Sequence, residues 1–198
     1  MRFKRNAPKD RVDGRLALNE HRAPFSPTLW KWHPQNKGTK VLKQVWFPGV
    51  HCSVGGGDDT ASLSVITMAW MVEQIHHYTN LECDITYLRY VLENLKPSPL
   101  DQPWGTARWT RSDQGIFRLS GKKRRTPGKY HLGPNEKTFE YVHKSVNERL
   151  KRMGKDYHCP DVSHLEEDHF GEVERKLAWI AEEKRVEEEN LAEKEEEK

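Results

Sequence analysis

The sequence predicts an α/β fold, a short parallel sheet with packed helices, followed by an acidic tail that is helical or disordered. Three observations carry this expectation. Lys43-Gln44-Val45-Trp46-Phe47-Pro48-Gly49, preceded by Thr39-Lys40-Val41-Leu42, crowds bulky and β-branched residues between Asn36-Lys37-Gly38 and a Pro-Gly turn, the pattern of a buried strand. Gly55-Gly56-Gly57 and Asp58-Asp59-Thr60 then lead into a run in which Val65, Met68, Ala69, Val72 and Ile75 recur at helical spacing, so one face packs on the sheet. Finally, the net charge of +3 on 198 residues divides unevenly: residues 161–198 carry 15 acidic and 6 basic side chains, leaving +12 on residues 1–160.

The remaining elements follow from the same signals. The first helix runs to about Tyr78, and Ile85, Leu88, Val91, Leu92 and Leu95 predict a second, which Pro97-Ser98-Pro99 terminates because proline lacks an amide donor. Residues 97–135 read as a long covering loop, since Trp104, Trp109, Ile116, Phe117 and Leu119 lie among prolines, glycines and basic residues without steady periodicity. A third helix is expected over Glu136–Met153, and an amphipathic one carries Phe170, Val173, Leu177 and Ile180. From Glu182 onward the chain is almost wholly Glu and Lys and offers too little apolar area to offset chain ordering. Three parts are therefore expected: a polar extension at 1–14 that supplies no strand, a partial domain at 15–165, and an acidic amphipathic helix with a charged tail at 166–198.

Composition narrows the function classes. Hydrophobic residues make up 35%, charged residues 32%, and the mean hydropathy is -0.94. No run approaches the ~18 apolar residues of a spanning helix, and the basic start has no apolar stretch behind it, so neither a membrane span nor a signal peptide is expected. With only Cys52, Cys83 and Cys159, reduced thiols and a cytoplasmic location follow. His76-His77, His158-Cys159, His164 and His169 do not reproduce HExxH or CxxC spacing, so no metal and no cofactor is expected. Gly55-Gly56-Gly57 lacks the lysine of a phosphate-binding loop and reads as tight-turn packing.

His51 is the candidate catalytic residue. A histidine just after a strand, on a loop leading into glycines, is where a three-layer α/β hydrolase places its general base, the last member of a nucleophile, acid, histidine order. The segment Gln44-Val45-Trp46-Phe47-Pro48-Gly49-Val50-His51-Cys52-Ser53-Val54-Gly55-Gly56-Gly57, with Leu63 through Met71 after it, resembles the C-terminal part of the α/β-hydrolase domain of type VI secretion phospholipase effectors and of uncharacterised fungal proteins. Leu16 through Trp30, Arg125-Thr126-Pro127-Gly128-Lys129-Tyr130 and Asn135 through Arg149 are similar to flanking parts of such members, so the resemblance covers roughly residues 15–165. It implies a serine hydrolase acting on ester bonds, lipids among them, with His51 as the family's histidine.

The same resemblance implies parts that this chain does not supply. The family's nucleophile lies on a GxSxG elbow upstream, and no serine here has that context; Ser53 has His51 where the first glycine belongs. Relatives often carry Asp where Asn19 and Ser53 stand, and Glu20 and Asp13 are weak substitutes, so the triad's acid is not assigned from sequence. Cys52 is not expected to meet His51, because neighbours on an extended strand point to opposite faces. The expectation is a C-terminal fragment that is inactive alone and acts on an ester or lipid substrate when joined to a nucleophile-bearing half. An alternative is a non-catalytic intracellular binding module in which the basic loop Lys122-Lys123-Arg124-Arg125, with Trp104, Trp109 and Tyr130 around it, holds nucleic acid or anionic lipid. Four cations give only weak, salt-sensitive binding, so no strong nucleic-acid signal is read from it.

Overall fold

The computed structural model describes residues 11–35, 41–57, 62–94, 105–109, 112, 119, 121–130 and 132–196. Its centre is a parallel sheet of four strands in the order β1-β2-β3-β4, with β1 at Arg11–Ala17, β2 at Val41–Phe47, β3 at Glu140–His143 and β4 at Glu166–Asp168. The α/β expectation is met. The middle strand β2 reads as a continuous buried run because both its faces are covered, as central strands of parallel sheets are. Val45 and Phe47 join the core on one face, and Trp46 joins the core on the other. Gln44 is buried too, and its amide is fully used, accepting from the Trp30 amide at 2.8 Å and donating to the carbonyls of Trp30 and Thr138 at 3.0 and 2.6 Å.

Strand β1 begins inside the segment read as a polar extension. Arg11 to Ala17 pair in register with Val41 to Phe47, and Gly14 lies against Gln44, where a Cβ would meet the Gln44 side chain at 3.2 Å. Its charges are tolerated because β1 has a strand neighbour on one side only among the described residues, and because they find partners. The Arg11 guanidinium bonds Asp13 at 2.7 Å and Gln74 at 2.8 Å and sits 3.4 Å from the centre of the Tyr78 ring.

Helices flank both faces. Helix α1 (His51–Gly55) is a single short turn after β2, and α2 (Ser62–Tyr78) buries Leu63, Val65, Ile66, Ala69 and Trp70. That face is rotated from the expected one: Met68 and Val72 only flank the core, while Trp70 meets Phe47 edge-on at 5.5 Å and donates to Asp168 at 2.6 Å. Helix α3 (Ile85–Asn94) contributes the buried Leu92. Helix α5 (Glu172–Glu196) lays Val173 and Leu177 against the α2 side, and its regular structure continues well past Ile180. On the opposite face, α4 (Lys144–Met153) brings Val146 to the second core with Leu16, Leu18, Trp46, Tyr157 and Val162.

The helix expected over Glu136–Met153 is instead a strand followed by a helix. Asn135 and Phe139 have φ of 65° and 48°, which break a right-handed helix, and Tyr141-Val142 then extend beside β2. His143 ends the strand and caps α4, its ring Nδ1 accepting from the Ser145 amide at 3.3 Å. Of the covering loop at 97–135, residues 97–104, 110–111, 113–118, 120 and 131 lie outside the described residues. No helix among the described residues is long and apolar enough to cross a membrane.

Candidate functional site

Two adjacent parallel strands deliver the site from their C-terminal ends, the place where open α/β sheets gather side chains from successive loops. Beyond the strands, the Leu18 amide donates to the Phe47 carbonyl at 3.0 Å and the Asn19 amide to the Gly49 carbonyl at 2.9 Å, so the two loops run together past the sheet. Gly49 makes the turn with φ of 103°, and a Cβ there would lie 2.5 Å from the Ser53 Cβ. The consequence is that Glu20, after β1, and His51, after β2, face one another.

Glu20 is the acid partner that sequence reasoning left unassigned. Its Oε2 lies 2.5 Å from His51 Nδ1, and its Oε1 accepts from the Arg22 amide at 2.9 Å and from Ser112 Oγ at 2.7 Å. The carboxyl is 1% exposed. Burial alone would raise its pKa, but the hydrogen bonds from Arg22, Ser112 and His51 outweigh it and hold the group at about 2. The signal that could have found it is positional. Reading Val12, Gly14, Leu16 and Leu18 at period two gives a strand beside β2, and Glu20 then occupies the post-strand loop that corresponds to His51.

Asn19, where an acid was sought, has a different role. Its Oδ1 accepts from the Gly49 amide at 2.8 Å and from the Tyr157 hydroxyl at 3.1 Å, and its Nδ2 donates to the His158 carbonyl at 2.9 Å. A carboxylate could not make the last bond, so the amide fits a post that ties both loops to the segment after α4.

His51 stacks on Phe25 with ring centres 4.1 Å apart, and Arg22 Nη2 lies 3.2 and 3.1 Å from its two ring nitrogens. With Nδ1 donating to Glu20, Nε2 is the proton-accepting atom. Cys52 Sγ lies 3.0 Å from that Nε2, contrary to the expectation that the two side chains diverge. The reason is local: residues 51–55 form a helical turn, where neighbours are not opposed as they are in a strand. Ser53 is buried, its Oγ accepting from the Val50 amide at 3.4 Å. Gly56 and Gly57 close the turn with φ of 94° and 100°, conformations that favour glycine.

A cavity of about 330 Å³ opens beside the pair, lined among others by Arg15 and Ala17 of β1, Glu20, Phe25, His51 and Arg125. A second, of about 360 Å³, lies beyond Asn19, between Trp109, Arg149 and Tyr157. The basic run does not stay together: Lys122, Lys123 and Arg124 are exposed, whereas Arg125 is buried and faces the first cavity. No group of three or more metal-ligating side chains occurs among the described residues.

Glu20 and His51, brought together by two parallel strands, both fall within one matching stretch. Residues 6–74 match the family model "T6SS, Phospholipase effector Tle1-like, catalytic domain". The Tle1-like stretch covers about a third of the chain and holds β1, the Glu20 loop, β2, His51 and most of α2. Strands β3 and β4 and helices α4 and α5 lie outside it. No curated protein and no solved structure gave a significant match.

Proposed function

We propose that Glu20 and His51 form the proton-transfer half of a serine-hydrolase-type site acting on carboxylic esters, lipid esters among them. The observation that carries this reading is the 2.5 Å contact between Glu20 Oε2 and His51 Nδ1 at the ends of adjacent parallel strands, inside the Tle1-like stretch. In this arrangement Glu20 fixes the tautomer and stabilises the imidazolium, while Nε2 takes the proton of an attacking hydroxyl and returns it to the leaving alkoxide. The hydroxyl comes from a segment that carries a nucleophile elbow and seats along the edge of β1 away from β2. Support for that placement is that the cavity beside His51 is walled by Arg15 and Ala17 of the same strand. The 198 residues contain no GxSxG, so alone they are expected to turn over esters poorly, much of an oxyanion hole being built beside such an elbow.

The binding-module reading loses ground, because burial of Arg125 leaves three of its four cations facing solvent. The test is hydrolysis of p-nitrophenyl butyrate by the protein purified from its source cells. His51→Ala is expected to lower kcat by at least ~10³-fold and Glu20→Gln by at least ~10-fold. Turnover retained in His51→Ala rejects the assignment.

A further inference from the structure

The Glu20–His51 pair already carries a nucleophilic group from this chain. Cys52 Sγ lies 3.0 Å from His51 Nε2, the ring atom left to accept a proton once Nδ1 donates to Glu20 Oε2 at 2.5 Å. Thiol, imidazole and carboxylate thus stand in the order of nucleophile, base and orienting acid, each within hydrogen-bond reach of the next. Arg22 Nη2 is 3.2 and 3.1 Å from the two ring nitrogens, and an atom so nearly equidistant lies along neither lone pair, leaving that of Nε2 to the thiol. The contact is a product of α1, whose turn brings Cys52 Sγ and the His51 ring together where a strand would set them on opposite faces. Cys52 is a free, half-buried thiol, and a Cβ on Gly55, Gly56 or Gly57 would meet nothing within 4 Å among the described residues, so the turn has open space beside it.

We propose that Cys52 is a nucleophile that takes an acyl group from acyl thioesters, using groups this chain itself supplies. As sulfur attacks the thioester carbonyl, its proton passes to His51 Nε2, and Glu20 steadies the resulting imidazolium. The tetrahedral adduct then collapses: the bond to the donor's sulfur breaks, that sulfur takes the proton from Nε2 and leaves as a thiol, and the acyl group stays on Cys52. One thioester is exchanged for another, so neither oxidant nor reductant enters. The donor class follows from the leaving groups. With an alkyl ester the adduct returns the Cys52 thiolate faster than it releases the more basic alkoxide, whereas a thioester offers two sulfur leaving groups of similar quality. The inference rests on the reading of Glu20 and His51 as a proton-transfer pair, but it needs no serine, and its test reads a covalent adduct on Cys52 rather than ester turnover.

The experiment is incubation of the protein at pH 7 with the butyryl thioester of N-acetylcysteamine, with butyrylation of each cysteine followed in time by peptide mass mapping. Cys83, also free and half-buried, is the internal control. Cys52 is expected to acylate at least ~10-fold faster than Cys83, and His51→Ala and Glu20→Gln to slow Cys52 by at least ~10-fold and ~3-fold while leaving Cys83 unchanged. Circular dichroism checks that both variants fold, and the Cys52-to-Cys83 ratio in the unsubstituted protein needs no variant. Ethyl butyrate at the same concentration should leave Cys52 unmodified. Equal rates at Cys52 and Cys83, a Cys52 rate unchanged in His51→Ala, or an adduct formed as fast from ethyl butyrate overturns the proposal. His51-dependent turnover of p-nitrophenyl butyrate without any Cys52 adduct from the thioester removes this inference alone, and the adduct without that turnover removes only the hydrolase reading.

Discussion

Replacing Glu20 by Gln removes one charge from the site and nothing else of comparable size, so its cost can be worked from the structure. The carboxyl is held at about 2 against an ordinary 4.5, which makes its ionised form the better bound one in the folded chain. At 1.36 kcal/mol per unit, that difference is worth ~3 kcal/mol of stability. The sign follows from the lowered value: the contribution is complete above pH 4.5 and is lost as the pH falls from there towards 2. A Gln must also turn its NH₂ towards either the Nδ1 proton of His51 or the Arg22 amide and Ser112, so one set of bonds is given up. Urea unfolding of both proteins at pH 7, 5, 3.5 and 2.5 measures the gap. A gap of ~3 kcal/mol at pH 7 that closes towards pH 2.5 is expected. A gap under ~0.5 kcal/mol at pH 7, or one that stays constant with pH, would refute the reasoning.

Three further outcomes follow from the same geometry. Gly49→Ala places a Cβ 2.5 Å from the Ser53 Cβ at φ of 103°, so it should cost more than ~2 kcal/mol and displace His51, read as a lower urea midpoint. Truncation before Gly171 strips Val173, Leu177 and the Glu174 carboxylate 2.9 Å from the buried His143, and should cost ~3 kcal/mol or more; an unchanged unfolding curve would remove α5 from the domain. Iodoacetamide at pH 8 should modify Cys52 well before Cys159, whose thiol burial pushes up to about 11, and His51→Ala should slow the Cys52 reaction at least ~3-fold, by peptide mass mapping.

The parts of this fold legible in the sequence are those whose local pattern and tertiary setting agree. Val45, Trp46 and Phe47 are apolar because β2 is covered on both faces, so the run announces itself. The Gly49 turn and the placement of His51 after β2 follow from the same stretch. Strand β1 is hidden because only Leu16 is buried among its apolar residues, and its charges break the pattern: Arg15 is exposed, while Arg11 and Asp13 are largely buried against one another and Gln74. Missing β1 hid Glu20, since an acidic residue marks a site only once its strand is known. The helix expected across Glu136–Met153 fails for a related reason: Phe139, Val142 and Val146 suit a helical stripe, and it is pairing with β2 that pulls the first half straight. Cys52 illustrates the reverse error, where an extended reading of five residues assigned the wrong side-chain directions to a helical turn.

The most direct test of the central claim is labelling of the protein from its source cells with a fluorophosphonate, which forms an adduct only with a serine whose hydroxyl a neighbouring base has activated. One adduct is predicted, on a serine outside these 198 residues, and it should disappear in both His51→Ala and Glu20→Gln. An adduct formed equally well without His51 would contradict the account, because the Glu20–His51 pair would then not be the base that readies the nucleophile.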